Sequence, residues 1–433
     1  MGYFERYHIF RDPIHGFIKV YDIERDIINS SAFQRLRRIK QLALTCMVYH
    51  GAEHTRFGHS IGVMDVASRI FDVIVAKDNN PDEYLLKKIS KWRKNDYERN
   101  KIILRLIALL HDIGHCPFSH GAEMLFQAKI THEEMSARII EGDGEISQIL
   151  DSLQSFNINK STIANMLRKK EIIPPINQII DGPLDADKTD YLWRDSFYTG
   201  VYYGRFDLDR LINTMTIVYN KVQEDIGLGL EEGGKYTAES LMLARYYMFL
   251  QVYFHCTRRA YDKHLSDFLK GYFKNYLNKN HYPSNVKEFL KFDDYRIMNF
   301  INEAKSKNNQ IGSLAKIIIY RKHYEVLKES PDYTEDKEKN LFDSNFNKIK
   351  DKFNIEIFKD DANDAPNKFK KEPFYLKLRN PKDRKIGSRF DEIEVLSKVI
   401  KELDDKIRKL RIYVPKDDLN RCKNFSDNLN WKP

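Results

Sequence analysis

Residues 102–110 read IILRLIALL, an apolar run interrupted only by Arg105, and it leads directly into His111-Asp112. No other feature restricts the fold of this chain so much. A helix this apolar has to be buried, so an imidazole and a carboxylate on its last turn project into the interior. An unpaired buried carboxylate is costly and demands a strong partner such as a cation or a metal ion. Gly114 is the expected cap of that helix. No stretch reaches the roughly 18 uninterrupted apolar residues of a membrane helix, so none is expected.

The chain of 433 residues has room for about three domains, or for one large body with an appendage. Cys46, Cys116, Cys256 and Cys422 lie at least 70 residues apart with no CxxC pair. That spacing excludes a thiolate zinc site of the usual kind and argues against a disulfide framework. The first residues, MGYFERYHIFRDP, carry charge where a secretion signal needs an apolar core. A reducing, cytoplasmic setting is therefore expected. The formal net charge of +9 suits a polyanionic partner, nucleotide or nucleic acid, but equally an ordinary basic surface.

Asp12-Pro13 and His15-Gly16 are turn signals that predict a short N-terminal hairpin. From about residue 31 to 132 the pattern is helical, with Phe33, Leu36, Ile39 and Leu42 spaced three apart. Helices are predicted over 61–75 and 102–112, joined by a polar segment around 77–100, then over 187–197, 207–216 and, unbroken, 237–276. GLGLEEGG at 227–234 matches no phosphate-binding glycine motif and reads as a turn between short strands. Residues 329–373 are crowded with Lys, Asp, Glu and Asn and read as a polar linker or excursion. Ser388 is a candidate cap for a helix carrying Ile393, Leu396, Ile400 and Leu403, after which RIYVP forms a short strand. The expected architecture is mainly α, with a helical body over 1–328 and a small α/β C-terminal lobe over 374–433.

His50, His54, His59, His111, His115, His120 and His132 fall within 83 residues, where even spreading of the 13 histidines would place two or three. A lone histidine is usually structural; a cluster this dense points to a site. The segment DGPLDADKTDYLWRDSFYTG then places Asp187, Tyr191 and Asp195 at i, i+4 and i+8 on one helix face, flanked by Lys188 and Arg194. Asp185, Asp187 and Asp190 would also favour a helix N-terminus. Tyr191 and Trp193, however, mark a buried segment, where a charge stripe needs a reason. Imidazole and carboxylate together suit one divalent ion, Mn, Mg, Fe or Zn.

The order His59, His111-Asp112, Asp187 resembles the H…HD…D signature of the HD-domain metal-dependent phosphohydrolases. The blocks FRDPIHGFIKV, FQRLRRIKQL, GAEHTRFGHSIGV, LLHDIGHCPFSH, IDGPLDADKTDYLWRDSFYTG and VYFHCTRRAYDKH follow one another from residue 10 to about 264. They are similar to those of the sterile-alpha-motif/HD-type deoxynucleoside triphosphate triphosphohydrolases and their dGTPase-like relatives. RIYVP resembles that family's C-terminal lobe. The resemblance is to the shorter microbial form, so no sterile-alpha-motif domain is expected. The resemblance implies an HD domain over about 54–195.

It further implies that His59, His111, Asp112 and Asp187 hold the metal ion and that a metal-activated water attacks the α-phosphorus, giving deoxynucleoside and inorganic triphosphate. His115, His120 and His132, with Glu123 orienting them, are the implied donors of a proton to the leaving 5′-oxygen. Arg56 and Lys188 match positions that grip the triphosphate. Gln41, Leu42, Tyr191, Asp195 and Tyr261 match positions that choose the sugar, with Asp195 accepting from the 3′-hydroxyl and Tyr191 packed where a 2′-hydroxyl would lie. The FQRLR block implies an activating nucleotide at a subunit interface of a dimer or tetramer, with Gln34 and Arg37 as ligands. Asn29 stands where a guanine-reading Asp is expected, so guanine activation should be weakened or replaced. Single-stranded nucleic acid is a further expected partner, since it binds some relatives. Two alternatives stay open: the same centre acting on another nucleotide or nucleic acid, or a nucleic-acid-binding module using the basic run at 406–411.

Overall fold

The chain opens with the expected hairpin, β1 (Tyr7–Asp12) antiparallel to β2 (Gly16–Tyr21). The Asp12 carboxylate accepts from the backbone N–H groups of Ile14 (2.8 Å) and His15 (3.0 Å), and Gly16 takes the positive φ of 76°. Helix α1 (Asp22–Asn29) follows directly. The computed structural model describes residues 2–77, 96–127, 130–220, 225–364, 369, 374–379, 390–403 and 407–431. Most of the polar segment expected around 77–100, and Ser388, lie outside the described residues.

Helices α2 (Arg56–Lys77) and α3 (Tyr97–Leu110) form the centre of a mainly helical body. Both are apolar around most of their circumference, as helices enclosed on several sides must be. Even Arg105, the one charge in the apolar run, is buried; Glu24 of α1 takes two of its N–H groups at 2.6 and 2.7 Å. Helix α4 (His132–Glu141) and helix α5 (Ala186–Thr199) complete the surroundings of the site. A Cβ at Gly62 of α2 would lie 2.0 Å from Asp190 Oδ1 and 2.4 Å from Arg194 Nη2, so only glycine lets α2 and α5 approach this closely.

Helix α3 stops at Leu110, and residues 111–114 form a turn. Gly114 does not take the left-handed conformation of a helix cap. Its role is close approach: a Cβ there would lie 2.3 Å from His132 O and Ser136 N. Ser136 fastens the turn by donating to His111 O (2.8 Å) and accepting from the Gly114 N–H (2.9 Å).

Several expected helices are interrupted for tertiary reasons. Phe33, Leu36, Ile39 and Leu42 are all buried, but the helix Ser31–Gln34 tightens at Arg35–Arg38 and unwinds at Ile39. The buried Arg35 guanidinium donates to Phe292 O (2.7 Å) and His115 O (2.8 Å), and these long-range bonds set the local path. The run over 237–276 splits into α6 (Lys235–Met248) and α7 (Cys256–Tyr276), with a wide π turn at Phe249–Tyr253 between them. Gly227 and Gly229 are not in a turn but within strand β4 (Asp225–Glu231), which pairs with β3 (Met215–Asn220). The helix expected over 393–403 is two short ones, with Ser397 capping the second.

The largest departure concerns 329–373. Instead of a linker it contains helix α8 (Asp336–Phe353) and strand β6 (Phe358–Asp364). The abundant Lys, Asp and Asn conceal Phe342, Phe346, Ile349 and Phe353, which recur at helical spacing and line a second apolar core with Leu410, Ile412 and Val414. That core covers a three-stranded antiparallel sheet in the order β5 (Glu325–Glu329), β9 (Ile407–Val414), β6. The expected 374–433 lobe is divided accordingly. Strands β7 (Tyr375–Lys377) and β8 (Phe390–Glu392) extend the β3–β4 sheet on the main core, while β9 belongs to the second. Among the described residues no helix is long and apolar enough to cross a membrane.

Candidate metal centre and active site

Four side chains from three helical elements converge. His59 comes from the first turns of α2, His111 and Asp112 from the turn after α3, and Asp187 from the first turn of α5. His59 Nε2 lies 3.0 Å from Asp187 Oδ1 and 3.6 Å from Asp112 Oδ2. His111 Nε2 lies 3.3 Å from Asp112 Oδ1 and 3.8 Å from Asp187 Oδ1. The other ring nitrogen of each histidine is anchored: His111 Nδ1 donates to Ala108 O at 2.7 Å, and His59 Nδ1 to Asp190 Oδ2 at 2.7 Å. Both Nε2 atoms are thereby turned toward the two carboxylates, and buried His111 Nε2 makes no hydrogen bond among the described residues. His59, His111 and Asp187 bring their ligand atoms within 4.8 Å of one another, and Asp112, also paired with Arg56 and His115, adds a second carboxylate beside them; such a donor set fits a divalent cation.

The electrostatics agree with that fit. Burial opposes charge on His59, but the hydrogen bonds to Asp187 and Asp190 outweigh it and push its pKa up to about 10. Burial likewise opposes ionisation of Asp112, yet Arg56 and the neighbouring imidazoles hold it well below the carboxylate range. The protein alone therefore keeps positive charge between these carboxylates, where a metal ion would replace a proton.

A layer behind the ligands was not foreseen from the sequence. Asp190 is fully buried and accepts four hydrogen bonds: His15 Nε2 (2.6 Å) and Arg194 Nη2 (2.9 Å) at Oδ1, His59 Nδ1 and Arg194 Nε (2.9 Å) at Oδ2. Arg194 also reaches Asp12 of the hairpin at 3.0 Å. His15, read only as a turn residue, is thus an interior partner of the site. The signal was the spacing of Asp187, Asp190 and Arg194, which shares the inward face of α5.

Beside the ligands, His115 Nε2 is 3.2 Å from Asp112 and its Nδ1 3.2 Å from Glu123. The His132 ring stacks on that of His115 at 4.0 Å, with Nδ1 2.9 Å from Glu123. Burial and the Arg56 charge hold His115 down at about 4, whereas Glu123 raises His132 against the effect of burial. His120 lies in the short turn Ser119–Gly121, but its side chain is outside the described residues.

A cavity of about 650 Å³ opens over this centre. Gln41, Leu42, Arg56, His111, Asp112, His115, His132, Asp187, Tyr191 and Asp195 line it, so most residues named from the sequence share one wall system. Arg56 is bonded to Asp112 and to Ser119 Oγ (2.7 Å). Asp195 is oriented by His54 and Tyr253, each at 2.7 Å, and the Tyr191 hydroxyl accepts from Arg245. Gln41 Oε1 is buried without a hydrogen bond among the described residues.

Three expected groups lie elsewhere. The Lys188 ammonium is held by Asp185 and Gly182 O (3.0 Å) and is not on the cavity wall. Tyr261 is buried against His323, ring centres 5.1 Å apart, also away from the wall. Asn29, Gln34 and Arg37 lie off the cavity wall; Arg37 Nε donates to Gln34 Oε1 (2.9 Å), and the Arg37 guanidinium stacks over Phe57. Conversely, Phe249, Tyr253, Arg245, Arg258, Arg259, Asp360 and Asp364 line the cavity without having been named. The first five come from the split of the expected long helix, and the two aspartates from the stretch read as a linker.

A profile of the HD domain matches residues 56–192, and one described as the HD associated region matches residues 206–429. The uncharacterized protein YwfO of Bacillus subtilis is 32% identical over 75% of this chain and 72% of its own length. The deoxynucleoside triphosphate triphosphohydrolase SAMHD1 homolog of Dictyostelium discoideum is 30% identical over 74% of this chain, which spans 60% of that protein. A crystal structure of a hypothetical protein from Aquifex aeolicus superposes with a TM-score of 0.75 and 27% identity, covering 97% of this chain and 99% of that one.

Proposed function

The chain belongs to the HD-domain family with its HD-associated region, and from that premise we propose that it is a metal-dependent triphosphohydrolase releasing inorganic triphosphate from deoxynucleoside triphosphates. The observation that carries this reading is the clustering of His59, His111 and Asp187, with Asp112 3.3 Å from His111 and 3.6 Å from His59, beside a cavity walled by Tyr191, Asp195 and arginines. The relationship to a protein named as a deoxynucleoside triphosphate triphosphohydrolase supports the substrate class.

His59, His111, Asp112 and Asp187 would hold the divalent ion, Mn, Mg, Fe or Zn, which supplies Lewis acidity to the α-phosphate and to water. The remaining steps belong to the chain's own residues. Asp190 and Ala108 O keep both imidazoles in the tautomer that presents Nε2. His132, paired with Glu123, holds a proton that it passes to the leaving 5′-oxygen. His120 is assigned the same role from the sequence alone. Arg56 on the cavity wall and Lys188 are assigned to grip the triphosphate, Lys188 by releasing its ammonium from Asp185. Tyr191, braced by Arg245, closes the space of a 2′-hydroxyl, Asp195 accepts from the 3′-hydroxyl, and Gln41 and Leu42 line the same cavity. Asn29, Gln34 and Arg37 form the proposed activator site of a dimer or tetramer.

The test is anion-exchange analysis of products from each dNTP and rNTP, with Mn or Mg, beside Asp112→Ala and an EDTA-treated sample. Deoxynucleoside plus triphosphate, absent from both controls, is the expected result. Release of monophosphate or pyrophosphate would replace this reading with another phosphohydrolase activity.

A further inference from the structure

The arginines that line the outer cavity are already occupied by carboxylates of the chain. Asp360 grips Arg259 through both oxygens, with Nε at 2.9 Å from Oδ2 and 3.2 Å from Oδ1. Asp364 lies 3.1 Å from Arg245, and Asp262 3.2 Å from Arg258. Among the described residues the wall carries five Lys and Arg side chains against seven Asp and Glu. A single divalent cation only cancels that excess, so apart from the proton assigned to His132 a fully ionised phosphate chain meets no surplus positive charge on the wall.

Asp360 and Asp364 differ from the other acids in origin. Both stand on β6, four residues apart and therefore on the same face of the strand. Among the described residues β6 is an edge of its sheet, bonded only to β9, so its side chains can swing or the strand can shift without breaking a ladder on two sides. Phosphate oxygens accept from a guanidinium in the same forked geometry as a carboxylate. Exchanging one for the other keeps the charge-assisted hydrogen bonds and returns the carboxylate to water.

We propose that Asp360 and Asp364 are displaceable counter-ions that select the substrate by the length of its phosphate chain. They hold Arg259 and Arg245 until one ligand replaces both carboxylates. Four residues of strand set the two carboxylates about 13 Å apart at the backbone, so a triphosphate engages both arginines by drawing their long side chains inward, whereas a monophosphate replaces one aspartate and is repelled by the other. This deepens the proposed triphosphohydrolase reading and takes its substrate class from it.

The experiment is calorimetric titration of the full-length chain in EDTA with inorganic triphosphate and, separately, orthophosphate. Wild type is compared with Asp360→Asn, Asp364→Asn, the double variant, and the charge-retaining Asp360→Glu and Asp364→Glu. Expected is about tenfold tighter triphosphate binding in the double Asn variant, with a larger gain for orthophosphate, so that the selectivity between the two falls. The Glu variants should keep the wild-type ratio. If the double variant fails to fold, the single Asn variants carry the same comparison, each with a smaller gain in the same direction. Unchanged or weaker triphosphate binding in an Asn variant that melts like wild type overturns the proposal, because the aspartates would then merely hold the arginines in place. Failure of the triphosphohydrolase reading is separate: it appears as no deoxynucleoside release while the titration pattern stands.

Discussion

His59 Nδ1 and Asp190 Oδ2 are 2.7 Å apart in an interior where both side chains are almost wholly enclosed. The contact crosses from α2 to α5 and turns the opposite face of the imidazole toward Asp112 and Asp187. Through Arg194 the same carboxylate is linked to Asp12 of the N-terminal hairpin. The geometry of the candidate metal centre thus depends on a residue outside the proposed ligand set.

Asp190→Asn tests this dependence. The amide keeps the volume but loses the charge and turns N–H groups toward Arg194 or His59. Metal affinity should fall by about 10–100-fold, read by titration with Mn in the absence of substrate. Asp190→Glu should not restore it, because Gly62 leaves no space for a longer side chain. Affinity equal to wild type would remove Asp190 from the ligand-orienting role.

Gly62→Ala should destabilise the protein without altering any ligand. The new methyl group would overlap Asp190 Oδ1 and Arg194 Nη2, which are paired and buried and have nowhere to go. Overpacking of this kind costs about 1–3 kcal/mol, and a lowered Tm in differential scanning calorimetry is the measurement. Gly144→Ala is the control, since a Cβ there meets nothing within 4 Å.

Tyr191→Ala should open the space beside the sugar. Discrimination against an added hydroxyl by an apolar wall is worth at most about a hundredfold. The ratio of rNTP to dNTP turnover, compared as kcat/KM, is therefore expected to rise by about tenfold or more toward that bound. An unchanged ratio would place the sugar elsewhere.

Acid should weaken the docking of the second core. His264 of α7 is buried, accepts from the Tyr324 N–H at 3.2 Å and packs edge-on to Tyr324 and Phe358. Burial, followed by the charges of His323 and Lys263, depresses its pKa to about 4. The folded state favours the neutral ring, so its full stability is present above the unfolded value near 6.5 and is lost as pH falls toward 4. The loss is on the order of 3 kcal/mol across that window. Denaturant titrations at pH 7 and pH 4.5 should show it in wild type and less of it in His264→Gln.

What could be read in the linear chain was local and periodic. The apolar run ending in His111-Asp112 was enough to place a polar pair inside the body, and the i, i+4, i+8 stripe put Asp187, Tyr191 and Asp195 on one wall. Both inferences follow from helix geometry, which depends only on spacing. Asp190 was read only as a helix N-terminus residue, because its acceptance of four hydrogen bonds involves residues from positions 15 to 194. Helix α8 escaped because composition was weighed above the recurrence of Phe342, Phe346, Ile349 and Phe353.

The order of residues was sufficient for the helical class and for the burial of the His and Asp cluster, since each is a consequence of side-chain chemistry and of the 3.6-residue period. Only the packed structure decided where α6 breaks, that Lys188 turns to Asp185, and that β6 sets Asp360 and Asp364 against the cavity's arginines. Those outcomes are settled by long-range contacts, in which burial and charge pairing outweigh local preference by amounts that no short stretch of sequence contains.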